Sequence, residues 1–190
     1  MVSRYIFTGL VALLAVQRIA EMRLSKKNEA RIAARGGQEH FPEHFRFMRL
    51  LHLAWFASML SEVYLLKRPF LPALSATGAI VMAAGQGLRY AAIRLLGWRW
   101  SVRIFTIPGE QPIHEGVYRY IRHPNYLGVI LEIAAMPLIH SAYLTALVFS
   151  LANGILLSVR IKKEEEALDR ASSYEETFSK QPRFVPFWSR

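Results

Sequence analysis

The sequence predicts an all-α integral membrane protein with about five transmembrane helices, the last two of which form a helical hairpin. Hydrophobic residues make up 53% of its 190 residues, and the mean hydropathy is +0.18. The formal net charge is nevertheless +10, and the charged residues gather between long uncharged runs instead of spreading along amphipathic elements. Cysteine is absent from the chain, which excludes thiol catalysis, disulfide bonds and thiolate metal sites, and no metal centre is predicted. We expect one domain over residues 1–190, with its motifs in the half from about 86 to 190.

Five hydrophobic runs define the predicted helices. Each run is close to the ~20 residues that a hydrocarbon core of ~30 Å requires. The first is interpreted as a retained span and not as a signal peptide, because its small-residue cleavage pattern is poor and a charged segment follows it. The fourth is short, and its Met136-Pro137 and His140-Ser141 pairs predict a kinked helix that turns tightly into the fifth. The runs lie at roughly 5–22, 47–66, 70–96, 125–141 and 142–161.

Lysine and arginine placement orients these helices. Cations flank the first long loop, the loop before Pro124 and the exit of the fifth run, whereas only Arg4, Lys67 and Arg68 fall on the opposite side. We therefore expect the N-terminus outside, and both long loops and the C-terminus in the cytoplasm. Nucleic acid is not an expected partner, because these cations follow membrane topology and face lipid head groups. The flanking cations are Arg18, Arg23, Lys26, Lys27, Arg31, Arg35, Arg46 and Arg49, then Arg89, Arg94, Arg99, Arg103, Arg119 and Arg122, then Arg160, Lys162 and Lys163.

The segment 116–128, GVYRYIRHPNYLG, places cationic and aromatic side chains between two apolar runs. Pro124 suits the first position of a helix, where its missing N–H would be unpaired in any case. The free N–H groups of that helix start then lie beside Arg122 and His123. Helix N-termini attract anions through these groups and through the helix dipole. The segment therefore predicts a ligand with an anionic group at the membrane boundary.

A second cluster lies at the exit of the fifth run. A continuous helix places Asn153, Arg160 and Glu164 on one face, at offsets of seven and four residues. An interfacial helix end with snorkelling lysines would also explain the charges. Asn153 favours the functional interpretation, because a polar group at that depth normally faces a cavity or a bundle interior.

Two further polar groups lie within apolar runs. Glu132 is an ionisable residue in the fourth run, and such residues are functional candidates by default. It lies six residues after Tyr126 and so on a different helix face. Gln86, Arg89 and Tyr90 have helical i, i+3 and i+4 spacing in the third run, where Gln86 could equally be helix–helix glue and Arg89 could snorkel. We interpret Gln86, Arg89, Tyr90, Glu132 and Asn153 as candidates for a substrate site.

The segment 118–128, followed about thirty residues later by Arg160-Ile161, Glu164-Glu165 and Leu168, resembles the isoprenylcysteine carboxyl methyltransferase family of integral membrane enzymes. The two motifs in this order, with a helical hairpin between them, are much more specific than either motif alone. Other segments resemble a bacterial subgroup that is often found beside type III polyketide synthases and is associated with O-methylation of alkylpyrones. They are Arg18-Ile19-Ala20-Glu21, Asn28-Glu29, Ala34-Arg35-Gly36-Gly37, His52-Leu53-Ala54-Trp55 and Leu88-Arg89-Tyr90.

The resemblance implies a multi-pass protein of a bacterial inner membrane that uses S-adenosylmethionine (SAM) through cytoplasmic loops. A pocket for SAM needs an anion site, a carboxylate and aromatic or apolar walls. His123 and the helix start at Pro124 suit the α-carboxylate, while Tyr118, Tyr126 and Leu127 suit the walls. Glu164 or Glu165 would accept hydrogen bonds from the ribose hydroxyls or the α-ammonium. The Gly-rich loop of soluble methyltransferases is absent from the sequence.

The expected acceptor is a lipophilic anion that enters from the bilayer, either an alkylpyrone-type hydroxyl or an isoprenylcysteine-type carboxylate. Methyl transfer to an ionised oxygen mainly requires desolvation and in-line alignment. Arg160 is the candidate catalytic residue, because its planar guanidinium grips two oxygens and stays charged. The subgroup resemblance also suggests a functional link to a type III polyketide synthase.

Three alternatives remain open from the sequence. Membrane sterol reductases carry a similar Arg-His-Pro-Asn-Tyr segment and bind NADPH, so this motif alone does not separate methyl transfer from hydride transfer. Phospholipid N-methylation is another acceptor class. A membrane partner protein without catalysis is the third, against which Glu132 and Asn153 argue.

Overall fold

The computed structural model describes residues 2–184 and shows a predominantly helical protein, as predicted. Two strands of three residues each are the departure from an all-α fold within these residues. They pair antiparallel, with Glu39 opposite Phe105. The predicted domain bounds include residue 1 and residues 185–190, which lie outside the described part. The helices are α1 Val2–Ala33, α2 Pro42–Leu65, α3 Pro72–Leu96, α4 Pro124–Leu138, α5 Tyr143–Ala171 and α6 Tyr174–Phe178; the strands are β1 Gln38–His40 and β2 Ile104–Thr106.

Helices α1 and α5 are long and apolar enough to cross a membrane. Helix α4 is apolar but has 15 residues, which at 1.5 Å per residue span about 22 Å. That is shorter than a hydrocarbon core of ~30 Å, in line with the short fourth run of the sequence. The count of five membrane crossings stays a prediction.

The boundaries of α4 follow from its prolines. Pro124 occupies its first turn and His123 precedes it, as the sequence predicts. Pro137 lies inside the last turn and α4 ends one residue later. The chain then turns at Ser141, whose φ is +57°, and the Ala142 N–H donates to the Pro137 carbonyl at 2.9 Å. Four residues thus connect α4 to α5.

Glycines bring α3 and α4 into close contact. A Cβ atom at Gly128 would lie 2.7 Å from the Gly85 carbonyl oxygen and 2.5 Å from Cγ of Arg89. A Cβ at Gly85 would in turn lie 2.9 Å from the Gly128 carbonyl oxygen. Small residues at a helix crossing allow this approach in membrane proteins. The crossing holds Arg89 against the first two turns of α4.

Helix α1 continues to Ala33, well past the predicted end of its span at residue 22. Gln17, Arg18 and Glu21 lie inside the predicted run and are helical, as expected. Arg18 and Arg89, which are predicted to flank loops, form ion pairs in the helix bundle. Arg89 is 5% exposed.

Candidate active site

Two cavities meet at the first turn of α4. The motif cavity, of about 170 Å³, is lined by Tyr118, His123 and Glu164, among others. The helix cavity, of about 260 Å³, is lined by α1, α2, α3 and α5, and includes Arg160. The side chains that line both cavities, and so form the wall between them, are Trp100, Ser101, Asn125 and Tyr126.

Tyr126 joins the two motifs across this wall. Its hydroxyl donates to Oε2 of Glu164 and accepts from Nε of Arg160 at 2.7 Å. Arg160 also donates through Nη2 to the Val102 carbonyl at 2.8 Å, and is 5% exposed. Arg160 and Glu164 are one helical turn apart on α5, so the first lines the helix cavity and the second lines the motif cavity.

Glu165 is the centre of a second group, beyond the apolar part of α5. Nε2 of His123 donates to its Oε1 at 3.0 Å, and Arg183 donates to both carboxylate oxygens at 3.1 and 2.5 Å. Arg122 lies 3.7 Å away. Burial alone would raise the pKa of Glu165, but the hydrogen bonds from His123 and Arg183 outweigh it and hold the pKa at about 2. Glu165 is therefore ionised at any working pH.

The C-terminal segment 181–184 brings Arg183 to this group. The backbone N–H groups of Arg122 and His123 donate to the carbonyls of Pro182 and Arg183, at 3.0 and 3.2 Å. Nε of Arg122 donates to the Gln181 carbonyl at 2.7 Å, and Phe184 packs against the cluster that contains Tyr126. Sequence reasoning missed Arg183, since it lies in a tail without hydrophobic periodicity or a helical offset from the motifs.

The remaining predicted cofactor residues differ in position. Tyr118 is buried against the motif cavity; burial, and then the Glu164 carboxylate, raise its pKa, so its hydroxyl keeps its proton. The ring of His123 stacks on that of Tyr126, with centroids 5.4 Å apart. Pro124 and Leu127 form the first turn of α4 but line neither cavity. Glu165 also lies outside both linings, whereas Glu164 is in the motif cavity.

An ion network lies beside the helix cavity, between α1, α3 and α4. Glu21 accepts from Arg18 and from Arg89, each at 2.5 Å. Glu132 pairs with Arg18 and, at 3.2 Å, with Arg89. The four side chains carry no net charge, which is how a bundle tolerates buried ions. Arg89 also donates to Oδ1 of Asn125 at 3.3 Å, so the network reaches the wall between the cavities.

Three other predicted substrate residues have different surroundings. Gln86 accepts a hydrogen bond from Gln17 at 2.8 Å and so joins α3 to α1. The Tyr90 hydroxyl accepts a hydrogen bond from Arg94. Tyr90 is 63% exposed, because consecutive residues of a helix point in different directions and Tyr90 therefore lies off the buried face of Arg89. Asn153 is buried, lines neither cavity, and its Oδ1 has no partner in the described chain. Of the five predicted substrate residues, Arg89 lines the helix cavity, and Gln86, Tyr90, Glu132 and Asn153 line neither cavity.

Comparison with known proteins identifies the family. Residues 77–170 match the model of the isoprenylcysteine carboxyl methyltransferase family. This match covers α4, most of α3 and nearly all of α5, and thus both motifs. The chain belongs to the isoprenylcysteine carboxyl methyltransferase family. The resemblance seen in the sequence is confirmed, whereas the bacterial subgroup and its link to polyketide synthases stay predictions.

Relatives of this family member extend the similarity along the chain. The protein YpbQ of Bacillus subtilis, which has no assigned function, is 37% identical over 166 residues, or 87% of this chain and 98% of that protein. An uncharacterised protein of Haemophilus influenzae is 27% identical over 152 residues, covering 80% and 88% of the two chains. The protein-S-isoprenylcysteine O-methyltransferase of Schizosaccharomyces pombe is 28% identical over 109 residues, covering 55% and 46%.

Family membership and the apolar helices indicate a membrane methyltransferase. Methyltransferases of this family use SAM. The NADPH-dependent alternative is not favoured, since the match lies with methyltransferases.

Proposed function

We propose that this protein transfers a methyl group from SAM to an oxygen of a lipophilic acidic acceptor, at the cytoplasmic side of a bacterial inner membrane. The observation that carries the proposal is the pair of cavities that share the Tyr126 wall, with Arg160 on one side and Glu164 on the other. A transferase needs two neighbouring sites of different chemistry, and this arrangement supplies them.

The motif cavity suits the cofactor. Arg122 and His123 are in its lining and supply donors for the α-carboxylate. Glu165 lies just outside that lining, paired with both residues and with Arg183, and is the fixed anion for the α-ammonium. A zwitterionic amino acid group thus meets both charges that it needs. Glu164 and the hydroxyl of Tyr118 are the groups for the ribose. SAM, when bound, supplies a methyl group on a cationic sulfonium.

The helix cavity suits the acceptor. Its walls are mostly apolar, and include Met48, Leu53, Phe56 and Val129, while Arg160 lies at its end beside the wall. An anionic oxygen held by the guanidinium of Arg160 would face the motif cavity. Arg160 keeps its donors aligned through Tyr126 and Val102, which limits reorganisation during the reaction.

The arginines argue against phospholipid amines as acceptors. Arg18, Arg49, Arg89 and Arg160 all line the helix cavity, and Glu21 is its one lining carboxylate among the described residues. A cationic or basic amine would meet a surplus of positive charge there. An acidic hydroxyl or a carboxylate fits better, and an alkylpyrone acceptor would link this enzyme to a type III polyketide synthase.

SAM binding to the purified protein in nanodiscs tests the cofactor site. We expect His123→Ala and Tyr126→Phe to weaken SAM affinity without changing helicity. Tyr90→Phe is the matched control for Tyr126, since Tyr90 is exposed and lines neither cavity. Unchanged affinity in both site variants would refute the assignment.

The role of Arg183 is tested with two ligands. We expect Arg183→Gln to weaken S-adenosylhomocysteine, which has the amino acid group, by about 10- to 100-fold, because a charge-assisted contact is worth ~1.5–3 kcal/mol. Affinity for 5′-methylthioadenosine, which lacks that group, should stay the same. An equal loss for both ligands would mean that Arg183 only holds the tail in place. Tighter binding of S-adenosylhomocysteine would mean that Arg183 competes with the cofactor for Glu165.

A further inference from the structure

His52 of α2 lines the helix cavity, and one of its ring nitrogens is bound to the helix backbone. Its Nδ1 lies 2.8 Å from the Met48 carbonyl oxygen one turn earlier. A carbonyl only accepts, so Nδ1 carries the proton in this contact. In the neutral ring, Nε2 therefore has a free lone pair. The helix backbone thus fixes the tautomer of this histidine.

Nε2 of His52 is the free nitrogen of a ring that lines the helix cavity. The side chain is half-buried and lines the helix cavity, and Nε2 has no hydrogen-bond partner among residues 2–184. The ring of Trp55 packs edge-on against the imidazole of His52, with centroids 6.3 Å apart, and this contact helps to fix the orientation of the imidazole. A hydrogen-bond acceptor with a fixed orientation therefore lines a cavity whose walls are mostly apolar.

Several charged groups share this cavity with His52. Arg18 and Glu21 face it from α1, Arg89 from α3 and Arg160 from α5. Arg49, on α2 itself, is exposed and has no ion pair in the described chain; it joins the same lining. The arginines can stabilise an oxyanion, but a guanidinium cannot take up a proton. Within this lining Glu21 is already paired with Arg18 and Arg89, whereas the neutral imidazole of His52 keeps a free lone pair that can take up a proton.

We propose that His52 is the general base of this enzyme, and that the acceptor is consequently a hydroxyl that is protonated near neutral pH, such as a phenol on a lipid tail, and not a carboxylate. A carboxylate is already ionised near neutral pH and needs no base. A hydroxyl bound among arginines still has to release its proton, and Nε2 of His52 provides the place. The inference rests on the proposed function and adds the acceptor class.

The proposed step balances. Nε2 of His52 takes the hydroxyl proton and becomes an imidazolium, and the oxygen keeps the electron pair. That pair forms the new O–CH₃ bond, while the S–CH₃ bond breaks and its electrons stay on sulfur, which becomes a thioether. The proton then leaves His52 for solvent. The products are a methyl ether, the demethylated cofactor and one proton.

Ionisation of a chromogenic acceptor tests the base without any cofactor. A dodecyl-substituted 4-nitrophenol absorbs differently as phenol and as phenolate, so a pH titration of the protein-bound probe in nanodiscs gives its ionisation midpoint. We expect the midpoint in wild type to lie below that in His52→Gln. His40→Gln, at a histidine that lines neither cavity, is the matched control and should titrate as wild type. Equal midpoints in wild type and His52→Gln, or failure of the probe to bind, would overturn the proposal.

Turnover distinguishes the acceptor classes. With 4-dodecylphenol, His52→Gln should lower kcat/KM by about 100-fold or more, the range of general-base catalysis, and imidazole in the buffer should partly restore His52→Ala. Wild-type methylation of dodecanoic acid but not of the phenol would overturn the proposal. If SAM does not bind to wild type, the proposed function fails, and the nitrophenol titration still decides the role of His52.

Discussion

Replacement of Glu132 by glutamine tests whether the buried ions act as one neutral network. The change keeps the shape of the side chain but removes its charge. Glu132 is 2% exposed and pairs with both Arg18 and Arg89. In Glu132→Gln, the buried guanidinium of Arg89 and the partly buried one of Arg18 would share Glu21 alone. Breaking a buried ion pair by removing one partner costs about 3–5 kcal/mol, since an uncompensated charge stays inside.

The assay is unfolding of the detergent-solubilised protein by sodium dodecyl sulfate, with helicity as the readout. Glu166→Gln is the matched control, because Glu166 pairs with Lys163 at 3.2 Å with both side chains more than 40% exposed. Exposed pairs contribute only about 0–1 kcal/mol to the free energy of unfolding. We therefore expect the free energy of unfolding to fall by at least ~2 kcal/mol more in Glu132→Gln than in Glu166→Gln.

A double variant distinguishes charge balance from local packing. Arg18→Gln combined with Glu132→Gln restores neutrality, since Arg89 and Glu21 remain as one pair. The double variant should be more stable than Glu132→Gln alone. Two results would refute the network. One is a loss of unfolding free energy in the double variant equal to the sum of the losses in Arg18→Gln and Glu132→Gln measured singly. The other is a loss in Glu132→Gln no larger than that in Glu166→Gln.

Three further outcomes are expected. Arg160→Lys should keep SAM affinity but lower turnover by about 10- to 1000-fold, or ~1.4–4 kcal/mol, because lysine keeps the charge and loses the planar fork. Single-turnover methylation and SAM titration on one preparation check this, and loss of SAM binding would contradict it. The pKa of Glu165 is about 2, below the ordinary carboxyl value, so the stability that its charge contributes is present above about pH 4.5 and is lost as the pH falls toward 2. The unfolding temperature should therefore depend less on pH in Glu165→Gln than in wild type, and an equal dependence in both would contradict the assignment. Single cysteines at Lys67 and Ser179, both exposed, should react with an impermeant reagent in sealed cells at Lys67 only, and labelling of Ser179 would reverse the topology.

Much of the helical frame could be predicted from apolar runs and prolines. Pro124 and Pro137 mark where α4 begins and is about to end, and both features follow from backbone chemistry alone. The end of α1 could not be predicted in the same way. Hydropathy falls at Gln17 and Arg18, yet the helix continues, because other helices supply a hydrogen-bond partner for Gln17 and an ionic partner for Arg18.

The candidate site, too, could be predicted where helix geometry decides a contact, and could not be predicted where tertiary contacts decide it. The i, i+4 spacing of Arg160 and Glu164 predicted their shared face of α5, since helix geometry fixes it. Arg183 reaches Glu165 through backbone contacts of a nonhelical tail, and nothing in local periodicity signals such contacts. Glu132 seemed separate from the motif on α4, but Arg89 connects it to Asn125 from another helix.

The order of Arg160 and Glu164 along α5 matters for the proposed reaction. Four residues correspond to about 6 Å along the helix axis, so the guanidinium lies deeper in the bundle than the carboxylate. Tyr126 contacts both and separates the two cavities at that point. With the order reversed, a carboxylate would lie where an acidic acceptor has to bind and would repel it. The observed order gives the lipophilic side a cation and the loop side an anion, which is what an anionic acceptor and a cofactor with an ammonium group each require.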